Sequence, residues 1–195
     1  HVAGMVSNSE WTGVPVRAMF DEVGVKPQAK WFLAEGSDSA MLTRSIPLEK
    51  AFDDALVVWA QNGEPLQPAQ GYPLRLLLPG FEGNSNVKWL RRLELGTKPW
   101  MTRWETSKYT DPLPGGKARI FSFELDAKSV ITSPAFPKTI TKGWWPVSGI
   151  AWSGRGTITR VEVSTDGGTS WSDATLQGPA QRKAHVRFTL MWEWD

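Results

Sequence analysis

Cysteine is absent from the 195 residues, so the chain can form neither a disulfide nor a thiolate metal ligand. Histidine is scarce: only His1 and His185 occur, which leaves no His-based zinc or iron motif. No apolar run approaches the roughly 20 residues that span a bilayer, and no signal peptide is visible. Charge of one sign is missing as well. The 22 basic and 20 acidic side chains leave +2, and no basic run exceeds Arg91-Arg92, so neither nucleic acid nor a polyanionic surface is indicated. Beginning at His1 and stopping inside the alternating run Trp192-Glu193-Trp194-Asp195, the sequence reads as a piece of a longer protein lacking both ends. Glycine (18), proline (14) and tryptophan (12) are plentiful. The first two predict a turn-rich chain of many strands. Several of the tryptophans fall in alternating strand patterns, and most are expected to face inward.

Residues 71–93 carry the densest information. Residues 74–78 form an apolar run broken only by Arg75 and bounded by Pro73 and Pro79, which predicts a short buried strand. Arginine in such a strand is costly unless a fixed anion meets it. Residues 80–86 then supply two glycines and two asparagines, whose backbone N–H groups can converge on a negative ligand. Lys88 follows in the next expected strand, 87–95. Two readings fit: an anion cradle, or a structural hairpin whose Arg75 and Lys88 pair with surface carboxylates. A nucleotide P-loop is excluded, because no glycine immediately precedes Lys88 and no Ser or Thr follows it.

Upstream, Val16, Met19, Phe20 and Val23 predict the buried face of a helix opened by Val14-Pro15 and closed by Gly24. A strand is expected over 30–34 and a turn over 35–38, in which Asp38 by default bonds its own backbone. Ser45-Ile46-Pro47-Leu48 is expected to begin a second helix, with Leu48, Ala51, Phe52 and Ala55 inward. The adjacent Asp53 and Asp54 would point about 100° apart on that helix. They read as solvated rather than as paired carboxylates. A strand over 56–60 runs into Asn62-Gly63, a strong hairpin signal. Residues 100–109 read as irregular, and 111–117 as a loop in front of which Tyr109 is an ordinary loop residue.

The second half changes character. Short strands are expected over 130–134, 147–152, 158–164 and 184–194, with Asp166-Gly167-Gly168 turning a hairpin that ends near Trp171. Ala184, Val186, Phe188, Leu190, Trp192 and Trp194 alternate with mostly polar residues, the pattern of a half-buried strand. His185 lies on the polar face and reads as a surface residue. Strands at this spacing imply an immunoglobulin-like sandwich. The fold class is α+β, with one domain over 1–127 and the sandwich, itself incomplete, over 128–195.

Several segments, taken together, resemble the sulfite oxidase family of molybdenum enzymes. They are Glu10-Trp11-Thr12-Gly13-Val14, Ser45-Ile46-Pro47-Leu48, Asn62-Gly63-Glu64-Pro65-Leu66, Gly71-Tyr72-Pro73-Leu74-Arg75, Leu78-Pro79-Gly80 and Asn86-Val87-Lys88-Trp89-Leu90. Within that family the chain is most similar to the bacterial sulfur-oxidising branch, the catalytic subunits of sulfane dehydrogenases. Ser133-Pro134 and Ser153-Gly154-Arg155-Gly156 resemble its C-terminal dimerisation domain. The resemblance implies a partial molybdopterin-binding domain followed by an immunoglobulin-like dimerisation domain. It places cofactor contacts at Asp38, Gln70 (where the family usually carries His), Arg75, Asn86, Val87 and Lys88. Tyr109 falls at the family's active-site tyrosine, whose hydroxyl donates near the metal, and the segment around Trp11 lies against the pterin.

The activity implied is oxo transfer to sulfite or to sulfane sulfur on a carrier protein. Electrons pass to a c-type cytochrome, so haem is expected only on a partner subunit. The implied location is periplasmic, with homo-oligomerisation through the C-terminal domain and neither membrane nor nucleic acid as partner. The family's metal-ligating cysteine lies upstream of the Trp11 segment, so this chain alone would hold no metal and be inactive, while the intact protein would be a molybdenum-dependent dehydrogenase of sulfur compounds. A metal-free relative serving as a non-catalytic interaction module is the alternative.

Overall fold

The computed structural model describes residues 7–195. They fall into two units, Ser9–Phe123, and Glu124–Asp195 together with Ser7 and Asn8. In the first unit the elements run β1 (Trp11–Pro15), α1 (Val16–Val23), β2 (Trp31–Gly36), β3 (Thr43–Pro47), α2 (Leu48–Asp53), β4 (Leu56–Gln61), β5 (Glu64–Pro65), β6 (Arg75–Leu77), β7 (Leu90–Gly96), α3 (Arg103–Lys108), β8 (Asp111–Leu113) and β9 (Lys117–Arg119). One antiparallel sheet has β4 pairing β1, β5 and β6; a second has the order β3-β2-β7; β8 and β9 form a hairpin.

Local chemistry accounts for most of these elements. Asn62 and Gly63 both take positive φ (53° and 79°), as the turn between β4 and β5 requires. Gly24 ends α1 by donating its N–H to the Phe20 carbonyl at 3.0 Å. The core joins α1 and α2 to both sheets through Val16, Phe20, Phe32, Ile46, Ala51, Val57, Leu76, Leu78 and Val87. Each large apolar side chain in such a core contributes roughly 1.5–3 kcal/mol.

Several expectations fail for identifiable reasons. In α1 only Val16 and Phe20 are buried, while Met19, at the edge of that face, and Val23, at the end of the helix, are exposed. Ser45 to Pro47 is strand, paired to β2, and the helix waits until Leu48. A residue before proline prefers extended backbone, and Pro47 is itself extended at ψ 135°. In α2 it is Lys50, not Phe52, that is buried; its ammonium donates to the Pro79 carbonyl at 2.6 Å and pairs with Asp54, which is therefore not merely solvated. Finally, α3 interrupts the segment expected to be irregular, nucleated by a capping box between Thr102 and Glu105, and the expected loop after Tyr109 is the β8–β9 hairpin.

The second unit contains β10 (Lys128–Ser133), β11 (Gly143–Trp152), β12 (Glu162–Val163), β13 (Ser172–Asp173), β14 (Thr175–Gln177) and β15 (Val186–Trp194). Its main sheet has the order β10-β11-β15-β14, all antiparallel, and β12-β13 forms the hairpin turned at Asp166-Gly167-Gly168. Val147, Ala151, Val163, Val186 and Phe188 are its core. The alternation in β15 holds as far as Trp192; Trp194 is exposed. The strand expected over 158–164 shrinks to two residues. None of the twelve tryptophans, all of them described, is fully buried, and Trp59, Trp144, Trp171 and Trp194 are exposed. An indole is too large to be enclosed completely in cores this small.

Candidate functional site

Arg75 and Lys88 converge on one short 3-10 turn, Pro68–Gln70. Lys88 Nζ donates to the Ala69 carbonyl at 2.8 Å, Arg75 Nη1 donates to the Gln70 carbonyl at 3.0 Å, and Trp89 Nε1 donates to the Pro68 carbonyl at 2.9 Å. Three successive carbonyls thus meet three donors from two strand-flanking segments. Those segments are joined by main-chain bonds, Leu76 N–H to the Val87 carbonyl at 2.8 Å and Leu90 N–H to the Leu74 carbonyl at 2.7 Å. Trp89 has φ +51°, unusual for a bulky residue, and this left-handed step lets neighbouring side chains reach the same turn.

Two glycines pack against the Lys88 backbone. A Cβ at Gly71 (φ +110°) would sit 3.0 Å from Lys88 Cα, and one at Gly36 would sit 2.8 Å from the Lys88 carbonyl oxygen and 3.1 Å from an Asp38 carboxylate oxygen. Asp38, Tyr72 and Trp89, with Ser37, Ser39, Pro73 and Leu90, line a cleft of about 460 Å³. Asp38 Oδ1 accepts the Leu42 N–H at 2.9 Å, the turn bond its residue type favours.

Arg75 is half-buried, and its guanidinium lies 5.0 Å from the Trp11 ring. Burial pushes that guanidinium below its usual pKa. Its Nε is enclosed without a hydrogen-bond partner. One donor on a fixed cation therefore still lacks an acceptor, and among the described residues Lys88 hydrogen-bonds through only one of its three protons.

The other sequence-derived candidates divide. Gln70 belongs to the cluster through its carbonyl, while its side-chain oxygen accepts the Gln67 N–H at 2.8 Å. Much of the expected nest of loop N–H groups over 80–86 is already engaged. Phe81, Glu82, Ser85 and Asn86 direct their N–H groups to the carbonyls of Leu78, Phe123, Glu82 and Gly83, and Val87 directs its own to Ser85. Asn86 also uses both ends of its side chain there, accepting the Leu78 N–H at 2.6 Å and donating to the Glu82 carbonyl at 3.0 Å. Val87 is buried as a core side chain. Tyr109 caps α3 and packs against Arg44, with the Arg44 guanidinium carbon 4.4 Å from its ring centroid. Sequence reasoning missed Arg44 and Glu105; the Thr102-to-Glu105 spacing was the one signal that pointed to the second. Among the described residues no group of three or more His, Cys, Asp or Glu could hold a metal ion, and no helix is long and apolar enough to cross a membrane.

The chain thus comprises an α+β unit, which carries a cationic cluster and a cleft whose lining includes Trp89, the neighbour of Lys88, and a β-sandwich unit after it in the sequence. Residues 1–104 match the model of the oxidoreductase molybdopterin binding domain, and residues 119–195 match the Mo-co oxidoreductase dimerisation domain. The chain belongs to the sulfite oxidase family of molybdopterin oxidoreductases. It is 33% identical to the NADH nitrate reductase of Solanum lycopersicum, over 98% of this chain and 24% of the relative, and 31% identical to mitochondrial sulfite oxidase of Rattus norvegicus, over 98% and 37%. The crystal structure of the sulfane dehydrogenase SoxCD from Paracoccus pantotrophus superposes with a TM-score of 0.93 at 50% identity, covering 98% of this chain and 50% of that one. The chain thus spans about half the length of that solved chain and less of the curated relatives.

The residues present fit the pterin portion of such a cofactor. The enclosed Arg75 Nε awaits an acceptor, Lys88 stands beside it, and the cleft lined by Asp38 and Trp89 adjoins the Lys88 backbone. They do not supply the metal's thiolate, since the chain has no cysteine.

Proposed function

We propose that the protein is a molybdopterin-dependent oxidoreductase that oxidises sulfite or carrier-bound sulfane sulfur in the periplasm. Its electrons pass to a c-type cytochrome partner, and it self-associates through residues 128–195. The convergence of Arg75 and Lys88 on one turn, with an Arg75 donor left unmet, is the observation that carries this reading. The 50% identity to a sulfane dehydrogenase supports the sulfur substrate.

When bound, the molybdenum centre supplies two-electron oxo transfer, while the protein supplies binding, orientation and electrostatics. Arg75 and Lys88 neutralise the anionic tail of the pterin, and Trp11 holds the Arg75 plane from one side. Asp38, Gln70, Asn86 and Val87 complete the binding set: Asp38 accepts from the pterin in the cleft, and Gln70 presents its amide. Asn86 and Val87 act chiefly by fixing the loop that delivers Lys88. Tyr109 would supply a hydroxyl donor for the substrate at that centre. The thiolate is contributed by protein outside these residues.

Lys88→Ala in the intact protein tests the assignment. Molybdenum measured by elemental analysis and pterin measured by fluorescence should both fall severalfold while the thermal unfolding midpoint stays close to wild type. Unchanged cofactor content would remove the physical basis of the reading.

A further inference from the structure

Arg44 is completely enclosed, yet Nε, Nη1 and Nη2 all lack a hydrogen-bond partner. The carboxylate facing it, Glu105, lies 4.0 Å from Nε and is equally buried. Glu105 is already engaged: its oxygens accept the Ser45 N–H, the Ser45 hydroxyl at 3.0 Å and the Thr102 N–H at 2.9 Å. A buried cation with no acceptor is costly, and an apolar residue of similar volume would serve a core better. What faces the guanidinium is aromatic: the Tyr109 ring at 4.4 Å and the Phe121 ring at 5.2 Å.

The surrounding bonds give this arrangement a direction. Three consecutive residues of β3 fasten both ends of α3. Thr102 Oγ1 donates to the Thr43 carbonyl at 3.0 Å, and Ser45 holds Glu105, so the start of the helix is fixed. At the other end, Thr110 Oγ1 donates to the Glu105 carbonyl at 2.8 Å, and Arg44 lies over the ring of the capping residue, Tyr109. The Tyr109 hydroxyl makes no hydrogen bond among the described residues. Its aim is therefore set by the ring contact.

We propose that Arg44 is a positioning residue: it orients Tyr109 through its ring, and its charge is retained in the core for that purpose. The inference rests on the role given to Tyr109 above. It is tested in the intact, cofactor-loaded protein by Arg44→Met and Arg44→Lys, each alone and combined with Tyr109→Phe. Fluorotyrosine is incorporated, and the Tyr109 signal is assigned by its loss in Tyr109→Phe.

Arg44→Met should shift and broaden the Tyr109 fluorine signal and lower kcat by about tenfold to a hundredfold, with KM and molybdenum content unchanged. Arg44→Lys should recover part of both, and Arg44→Met should add no further loss to Tyr109→Phe. An unmoved fluorine signal, or an equal fall in kcat with Tyr109 already replaced, would overturn the proposal. Should Arg44→Met fail to fold, the fluorine signal of Arg44→Lys decides alone: unmoved, it overturns the contact. Full activity in Tyr109→Phe would instead refute the catalytic reading of Tyr109, while the fluorine signal still judges the Arg44 contact.

Discussion

Gly71 lies directly against Lys88: a Cβ added to the glycine would stand 2.9 Å from the lysine Cβ and 3.2 Å from the Arg75 Cβ. The two cations reach the same turn because nothing stands between them at this point. Gly71→Ala should therefore push both side chains off the Pro68–Gln70 carbonyls and sharply reduce molybdenum content in the intact protein. Gly63→Ala is the control. Its φ is also positive, at +79°, but open space surrounds it, so it should cost about 1 kcal/mol of stability and leave cofactor content intact. Equal cofactor loss in both variants would show that backbone strain, not crowding at Lys88, is responsible.

In the sandwich unit, Asp166 organises the turn between β12 and β13. Its carboxylate accepts from the Ser170 hydroxyl at 2.6 Å and N–H at 2.9 Å, the Ser164 hydroxyl at 2.8 Å and the Thr169 N–H at 3.0 Å. These bonds, led by the Ser170 hydroxyl, hold it far below the usual carboxylate range. A pKa lowered by folding gives a contribution that is complete above about pH 4 and is lost as pH falls through the folded value. Asp166→Asn should flatten that acid limb in urea melts between neutral and strongly acidic pH; an unchanged slope would contradict the assignment.

His185 is half-buried, its ring 5.3 Å from that of Trp152, and burial pushes the imidazole below its usual pKa. The unfolded chain therefore binds a proton at higher pH than the folded one. Stability should be full above about pH 6.5 and decline as pH falls through the lower folded value. His185→Gln should remove that decline, as followed by thermal melts across this window. The main chain of His185 exchanges two 2.9 Å bonds with the Asn8 side chain, which the substitution preserves.

Much of the fold was legible because it rests on short-range chemistry. The Asn62-Gly63 turn, the Gly24 stop and the alternation in β15 as far as Trp192 each depend on a few adjacent residues, and each was read correctly. The Thr102–Glu105 capping box was equally local and was overlooked, which turned α3 into an irregular segment. Lys50 and Phe52 exchanged places for a different reason. The Pro79 carbonyl that receives the Lys50 ammonium is 29 residues away, and no helical periodicity reveals it.

At the candidate site the division is similar. Order and spacing of the motifs sufficed for the family, and the absence of cysteine sufficed to show that these residues supply no thiolate. Tertiary structure alone decided that the N–H groups of Phe81, Glu82, Ser85 and Asn86 are taken up by main-chain carbonyls, and that Arg75 and Lys88 meet at one turn. It alone also put Arg44 under Tyr109, since Ser45 and Glu105, which lock that helix to β3, are 60 residues apart in the chain. Residue type dictates which bonds a side chain can make; only the packing of distant segments settles which partner is within reach.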